Sequence, residues 1–204
     1  MNLLFVCTGN TCRSPMAEAL LRFKYNGVEV RSAGIFAGSG QPLSEGSEHV
    51  LSEVGLSFNH SSTPIAQEII DWSDLVLTMT DKHKQTLALQ YPDEQTKFFT
   101  LKEYVLIDES KWQELKDLYT TFEEKRTWIL SNLEEDLTQA EMETRLRQEL
   151  ATEIEKIQQI ESDIPNLNIT DPFGKNVKVY RETRDELNRH IDLLVAKLKE
   201  LKEN

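Results

Sequence analysis

Residues 3–6, Leu-Leu-Phe-Val, are apolar without interruption, the pattern of a strand buried on both faces. A turn rich in Gly, Asn and Thr follows at once. Residues 16–23 then read as a helix, with Ser14 and Pro15 supplying the start signal. Residues 28–32 predict a second strand, ended by Ala33 and Gly34. Residues 42–54 predict a helix closed by Gly55, residues 66–72 a short helix and residues 75–80 an apolar strand. A helix over residues 81–89 and a short strand over residues 97–101 follow. Strands and helices alternating in this order predict an α/β fold, a doubly wound parallel four-stranded sheet with helices on both faces. Sites in such sheets form beyond the carboxyl ends of the strands, and the turn after residue 6 occupies one of these ends.

Residues 110–162 break that rhythm. They hold no Gly or Pro and are rich in Glu, Gln, Lys and Leu. Apolar residues recur at Trp112, Leu115, Leu118, Tyr119 and Phe122, and then at Ile129, Leu130 and Leu133. A second series runs Leu146, Leu150, Ile154, Ile157 and Ile160. Steps of three and four mark amphipathic helices, so the segment predicts two long helices packed as a hairpin, with a break near residues 133–138. The α/β pattern resumes after Pro165, and a final helix is expected over residues 183–202. The expected organisation is an α/β domain of residues 1–109 and 163–204, interrupted by an inserted helical hairpin of residues 110–162.

Totals narrow the function classes. A chain of 204 residues suits one domain carrying an embellishment, and a chain of that size hides roughly 70% of its unfolded surface. The formal net charge of −12 argues against a nucleic-acid partner and against docking on an anionic membrane. The insert, with 7 Lys/Arg against 13 Asp/Glu, carries about half of that charge. Its acidic run Glu134-Glu135-Asp136 reads as a solvated face. No apolar run reaches the ~18 residues that a membrane span needs. The start lacks the basic and long apolar regions of a signal peptide. The only two cysteines are five positions apart and make no disulfide framework. Together these features predict a cytoplasmic protein. His49, His60, His83 and His190 are scattered without metal-ligand spacing, so no metal is expected. His60 is a candidate brace for the loop after residue 6.

Candidate chemistry concentrates in Cys7-Thr8-Gly9-Asn10-Thr11-Cys12-Arg13-Ser14, between the first strand and the first helix. A tight loop there turns successive backbone N–H groups inward, and the helix dipole adds positive potential. Together they suit a phosphate dianion. Gly9 and Asn10 are residue types that tolerate the unusual φ values such a nest demands. Arg13 adds a planar fork for two phosphate oxygens. The same field favours the thiolate of Cys7, the form that attacks phosphorus. Ser14 is placed to donate a hydrogen bond to the sulfur as it leaves. A cysteine with an arginine six positions on is, by itself, most often a small buried residue and a surface cation. Here the preceding strand, the Gly-Asn turn and the Ser-Pro helix start all agree with the chemical reading.

This loop, placed directly after Leu-Leu-Phe-Val, resembles that of the low-molecular-weight protein tyrosine phosphatase family. Ser32-Ala33-Gly34 is similar to the family's second-strand ending, and Leu77-Thr78-Met79-Thr80 to the strand beside its active site. Asp171-Pro172-Phe173-Gly174 looks like its late Asp-Pro loop. The resemblance covers residues 1–105 and 165–204 and leaves the middle segment outside. It implies a cysteine-dependent protein phosphatase with no cofactor. It also implies that Cys7 forms a phosphocysteine intermediate and that Arg13 stabilises the transferring phosphoryl group. Asp171 would protonate the leaving group and then activate water. Thr8, Gly9, Asn10, Thr11, Cys12 and Ser14 would surround the phosphate. Without the loop, Asp171 is an Asp before Pro in a turn, the commonest fate of such a pair.

Two departures bear on the substrate. Thr11 stands where the typical loop has an aliphatic residue. Phe173 and Gly174 stand where the typical Asp-Pro loop has one or two tyrosines. Both are similar to the protein-arginine phosphatase branch, which implies phosphoarginine in proteins as substrate. A tyrosine phosphatase of the same fold is the alternative, and a non-catalytic protein binding through its insert is a third. The Thr11 hydroxyl either bonds a guanidinium nitrogen, orients the attacking water or is a neutral filler. Phe173 either stacks on the guanidinium or caps the core. Arsenate reductases on this scaffold need further cysteines downstream, and the chain has none beyond Cys12. Cys12 either forms a reversible disulfide with Cys7 or is a small buried residue under the loop. The insert, which family members of ordinary length lack, is expected near the active-site rim. It would select phosphorylated protein substrates, bind a protein partner, form a dimer contact or serve as an inert solubilising arm.

Overall fold

A computed structural model describes residues 1–132 and 138–203. The chain divides into two compact units, residues 1–106 with 167–204, and residues 107–166. In the first unit β1 (Asn2–Cys7) leads to α1 (Arg13–Lys24), β2 (Glu29–Gly34), α2 (Glu45–Ser52), α3 (Gln67–Trp72) and β3 (Leu75–Thr78). Then come α4 (Asp81–Gln90), a 3-10 turn (Pro92–Lys97), β4 (Phe98–Thr100) and α5 (Leu101–Leu106). The second unit holds α6 (Glu109–Ser131), α7 (Gln139–Glu149) and α8 (Ala151–Asp163). The first unit closes with α9 (Val177–Glu203).

The four strands are parallel and lie in the order β2-β1-β3-β4. Phe5 pairs with Ser32 on one side and Leu77 on the other. Alternation along β1 divides the core. Leu3, Phe5 and Cys7 pack with Met16 and Leu20 of α1 and with Leu187, Ile191 and Leu194 of α9. Leu4 and Val6 pack with Ile70 of α3, Leu87 of α4, Val76 and Phe98. Both faces are therefore covered by helices, as the uninterrupted apolar run predicts. Each such side chain contributes about 1.5–3 kcal/mol by its burial. The sheet grows first to one side of β1 and then to the other. Its topological switch point thus lies at the carboxyl ends of β1 and β3, where a ligand crevice is expected.

Several boundaries differ from expectation. α1 starts at Arg13, three residues before the expected start, with Pro15 in its first turn as the start signal implies. The strand predicted to residue 80 stops at Thr78, because Thr80 caps α4 with its Oγ1 accepting from the His83 N–H at 3.3 Å. α5 is an unpredicted helix. α9 begins at Val177, six residues before the expected start, with the Asn176 side chain accepting from the Val179 N–H at 3.3 Å.

The second unit corrects a larger expectation. The second arm of the predicted hairpin is two helices, α7 and α8, which meet at Leu150 with φ −100° and ψ 5°. Its N–H still reaches the Leu146 carbonyl and its own carbonyl still receives the Ile154 N–H, both at 3.0 Å. The bend is thus closed by backbone bonds, with no Gly or Pro to announce it. α6 runs beside α8, where Tyr119 donates to Glu161 at 2.5 Å and Lys125 pairs with Glu153. Thr138 and Glu141 form a capping box at the head of α7. Apart from Thr138, the expected break near residues 133–138 lies outside the described residues, as do Leu133 and Glu134-Glu135-Asp136.

Candidate active site

The loop from Cys7 to Ser14 joins the end of β1 to the head of α1, at the switch point. Cys7 is 2% exposed. Its sulfur receives the Asn10 N–H at 3.3 Å and lies 3.0 Å from the Ser14 hydroxyl. Asn10 has φ 54°, the one left-handed non-glycine among the described residues. Gly9 does not adopt a left-handed φ, so the backbone reversal expected of both residues falls on Asn10 alone. Asn10 holds its position with a fully used side chain. Nδ2 donates to Ser14 Oγ at 2.9 Å and to Ser32 Oγ at 2.8 Å, and Oδ1 accepts from the Thr63 N–H at 2.8 Å. Its carbonyl lies 2.7 Å from His60 Nε2, the brace expected of that histidine. Behind Ser32, buried Glu18 pairs with Arg22 at 2.6 Å. Burial pushes the Glu18 carboxyl up, against the Ser32 hydrogen bond and the Arg22 charge.

Arg13, in the first turn of α1, is 4% exposed. Its Nη2 donates to Asp171 Oδ2 at 2.9 Å and lies 3.5 Å from Thr8 Oγ1. Its Nε is buried and has no hydrogen-bond partner among the described residues. An unpaired buried donor costs about 1–3 kcal/mol, and such a group is expected where a ligand supplies the acceptor. A phosphate oxygen fits it.

Asp171 reaches Arg13 although the two are 158 positions apart. The approach to it is pinned: Ile169 N–H donates to the Met79 carbonyl and Asn168 Oδ1 accepts from the Asp81 N–H, both at 2.8 Å. Asp171 Oδ1 also accepts from the Phe173 N–H at 3.2 Å. Lys175 N–H closes a turn onto the Pro172 carbonyl at 2.9 Å, with Gly174 at φ 71°, a value that favours glycine. Phe173 is 70% exposed, so it does not cap the core. Thr11 is half-buried, with its hydroxyl 3.7 Å from Cys12 Sγ. Both cysteines are free, and Cys12 lies 3.2 Å from Ser44 Oγ and 3.7 Å from the Tyr180 hydroxyl. All the candidate site residues therefore gather at one loop and its rim.

Sequence reasoning missed Thr63, Ser44, Tyr180 and His83 as partners of this loop. It also missed the structural reason for Gly34. A Cβ there would lie 2.7 Å from the Thr8 carbonyl oxygen and 2.8 Å from Asn10 N, both backbone atoms that have little room to give. Gly34→Ala is therefore expected to displace the loop. The predicted result is a fall of roughly a hundredfold in kcat/KM on an aryl phosphate, with the circular dichroism of the sheet retained. Wild-type turnover in that variant would show that the close approach has no bearing on catalysis.

Among the described residues no group of three or more His, Cys, Asp or Glu is placed to hold a metal, and no helix is long and apolar enough to cross a membrane. A buried thiol bonded by its own loop, with an arginine of the same loop holding an unused buried donor, is an arrangement suited to phosphoryl transfer through sulfur. That chemistry defines a cysteine-dependent phosphatase. The family model described as low molecular weight phosphotyrosine protein phosphatase matches residues 2–156, and the chain belongs to that family. A protein-arginine-phosphatase of Geobacillus stearothermophilus is 36% identical, over 96% of this chain and 95% of that protein. The solved YwlE arginine phosphatase of the same organism superposes with a TM-score of 0.68 at 34% identity, covering 98% of this chain and 94% of that one. A further solved YwlE arginine phosphatase has a cysteine-to-serine change and a phosphorylated active-site serine. It is 32% identical with a TM-score of 0.66, covering 98% of this chain and 96% of that one.

Proposed function

We propose that this phosphatase hydrolyses phosphoarginine in proteins, with Cys7 as nucleophile, Arg13 as phosphate clamp and Asp171 as acid and base. The Cys7 sulfur attacks phosphorus in line, the P–N bond breaks, and its electron pair returns to the guanidino nitrogen as Asp171 gives up a proton. Water then attacks the phosphocysteine, Asp171 takes the water's proton, and phosphate leaves with the thiolate restored. Ser14 carries one hydroxyl proton, which serves either the Ala33 carbonyl at 3.3 Å or the sulfur at 3.0 Å. Turning it to the sulfur stabilises the thiolate at attack and at departure. Arriving phosphate competes with Asp171 for the Arg13 fork and so frees the carboxyl for the leaving group.

The observation that carries the substrate assignment is Thr11. Its hydroxyl stands on the loop with no partner nearer than Cys12 Sγ at 3.7 Å among the described residues, and it is available to a polar leaving group. The near full-length match to proteins named as arginine phosphatases supports the same reading. The exposed ring of Phe173 offers a face to a planar guanidinium. The test compares phosphoarginine and phosphotyrosine peptides with the wild type and Thr11→Ile. Phosphoarginine is expected to be preferred by the wild type. The variant is expected to lose about ten- to a hundredfold in kcat/KM on phosphoarginine alone. Faster wild-type turnover of phosphotyrosine would refute the assignment.

We also assign residues 110–162 to recognition of phosphorylated protein substrates or of a partner copy, as an insert within the phosphatase domain of residues 1–109 and 163–204. We assign the protein to the cytoplasm, a compartment in which its two cysteines, free in the structure, stay reduced.

A further inference from the structure

His83 is a buried histidine that the reaction above leaves unused. It lies in the first turn of α4, 8% exposed, across the switch point from the loop. Its Nε2 is 2.9 Å from Thr8 Oγ1, and its Nδ1 is 2.9 Å from Thr80 Oγ1. Thr8 follows the Cys7 thiol directly and is exposed at the loop mouth. Its oxygen also lies 3.5 Å from Arg13 Nη2, the nitrogen that Asp171 Oδ2 holds at 2.9 Å. A chain of polar groups thus runs from the end of β3 to the atoms that face substrate.

The number of protons in this chain favours one direction. Burial, with the Arg13 charge adding to it and Asp171 opposing, lowers the His83 pKa to about 4. At neutral pH the ring is therefore uncharged, with one N–H and one lone pair. Arg13 Nη2 carries only hydrogens, so Thr8 Oγ1 accepts from it. Thr80 Oγ1 accepts from the His83 backbone N–H at 3.3 Å. If the ring proton sat on Nδ1, Thr8 would spend its hydroxyl proton on Nε2, and the Thr80 proton would have no acceptor among the described residues. With the proton on Nε2, Thr80 donates to Nδ1, Nε2 donates to Thr8, and every inward donor has an acceptor. The Thr8 oxygen then accepts from both His83 and Arg13, and its own proton is left for a further acceptor.

We propose that His83 is a positioning residue for phosphoryl transfer: through its Nε2–H it holds the Thr8 hydroxyl as a donor to a phosphoryl oxygen of the bound substrate. The proposal rests on the Cys7 loop being the phosphate site. It is independent of whether arginine or tyrosine is the leaving group.

Two measurements test it on the full chain. Long-range proton–nitrogen NMR of the wild type reads the ring directly. A neutral His83 with its proton on Nε2 is expected, and a proton on Nδ1 overturns the proposal. The second is a double-mutant cycle on an aryl phosphate. Thr8→Val and His83→Leu are each expected to lower kcat/KM by about tenfold, the scale of one hydrogen bond to a charged group. The double variant is expected to be no worse than either single one. His83→Gln, whose amide nitrogen can take over the Nε2–H donation, is expected to recover most of the loss. Additive losses, or an unaffected Thr8→Val, would overturn the proposal. Neither outcome bears on the Cys7 mechanism, which Cys7→Ser tests separately.

Discussion

Cys7→Ser is expected to lower turnover by at least about a thousandfold while leaving phosphate binding intact. The reason lies in how the loop divides its work. In the proposed mechanism the sulfur is the attacking atom, whereas phosphate is held by backbone N–H groups, the helix dipole and the Arg13 fork, none of which the substitution touches. A serine hydroxyl is a far weaker nucleophile than a thiolate, and the side-chain hydrogen-bond partner of the sulfur among the described residues, Ser14 at 3.0 Å, is another hydroxyl rather than a base. The oxygen still meets the Asn10 N–H, so the loop keeps its shape. Kinetics on an aryl phosphate and calorimetric titration with inorganic phosphate separate the two effects. Slow trapping of phosphate on the new hydroxyl, read by mass spectrometry, is the companion result. More than a tenth of wild-type turnover would place the nucleophile elsewhere.

The parts of this site that were legible in the sequence are those that lie close together along the chain. Cys7, Asn10, Arg13 and Ser14 announce themselves because one short loop must supply a nucleophile, a backbone reversal, a cation and a hydroxyl. Asp171 was legible only through its resemblance to a family pattern, since an Asp before a Pro is otherwise a turn. Of the bracing shell only His60 was legible. Ser32, Thr63 and His83 reach the loop from 22, 53 and 75 positions away, and nothing in a serine or threonine foretells which buried amide it will satisfy.

The fold shows the same division. β1 was readable because a central parallel strand is apolar on both faces. α5 was missed although its signal was present. Thr100 and Glu103 form a reciprocal cap, each side chain accepting from the other's backbone N–H at 3.0 Å, and the spacing Thr-x-x-Glu is visible in the sequence. Asn176 likewise marks the true start of α9, but the β-branched Val177 and Val179 hid it. The bend at Leu150 had no such signal. A leucine between Glu149 and Ala151 continues a helical pattern as well as it breaks one, and tertiary packing decides.

Asp171→Asn is expected to cost about a hundred- to ten-thousandfold in kcat on phosphoarginine, the range that a positioned general acid supplies. A guanidino nitrogen cannot leave as an anion, so the P–N bond breaks only as a proton arrives. Asp171 is the one carboxyl bonded to Arg13 among the described residues, so with Arg13 as the proposed phosphate clamp the acid stands where the leaving group would emerge. The amide keeps the shape of the side chain and still accepts from the Phe173 N–H, which preserves the turn. The Asp171 side chain is 54% exposed but that of Arg13 is only 5% exposed, so the change leaves a buried cation without its charged partner and the melting temperature is expected to fall. The leaving group discriminates the chemical role from a structural one. A nitrophenolate departs without a proton, so p-nitrophenyl phosphate should lose far less in the first step than phosphoarginine does. Equal losses on both substrates would mean that Asp171 acts only by holding Arg13 in place, and the acid would have to be sought in another residue at the loop mouth.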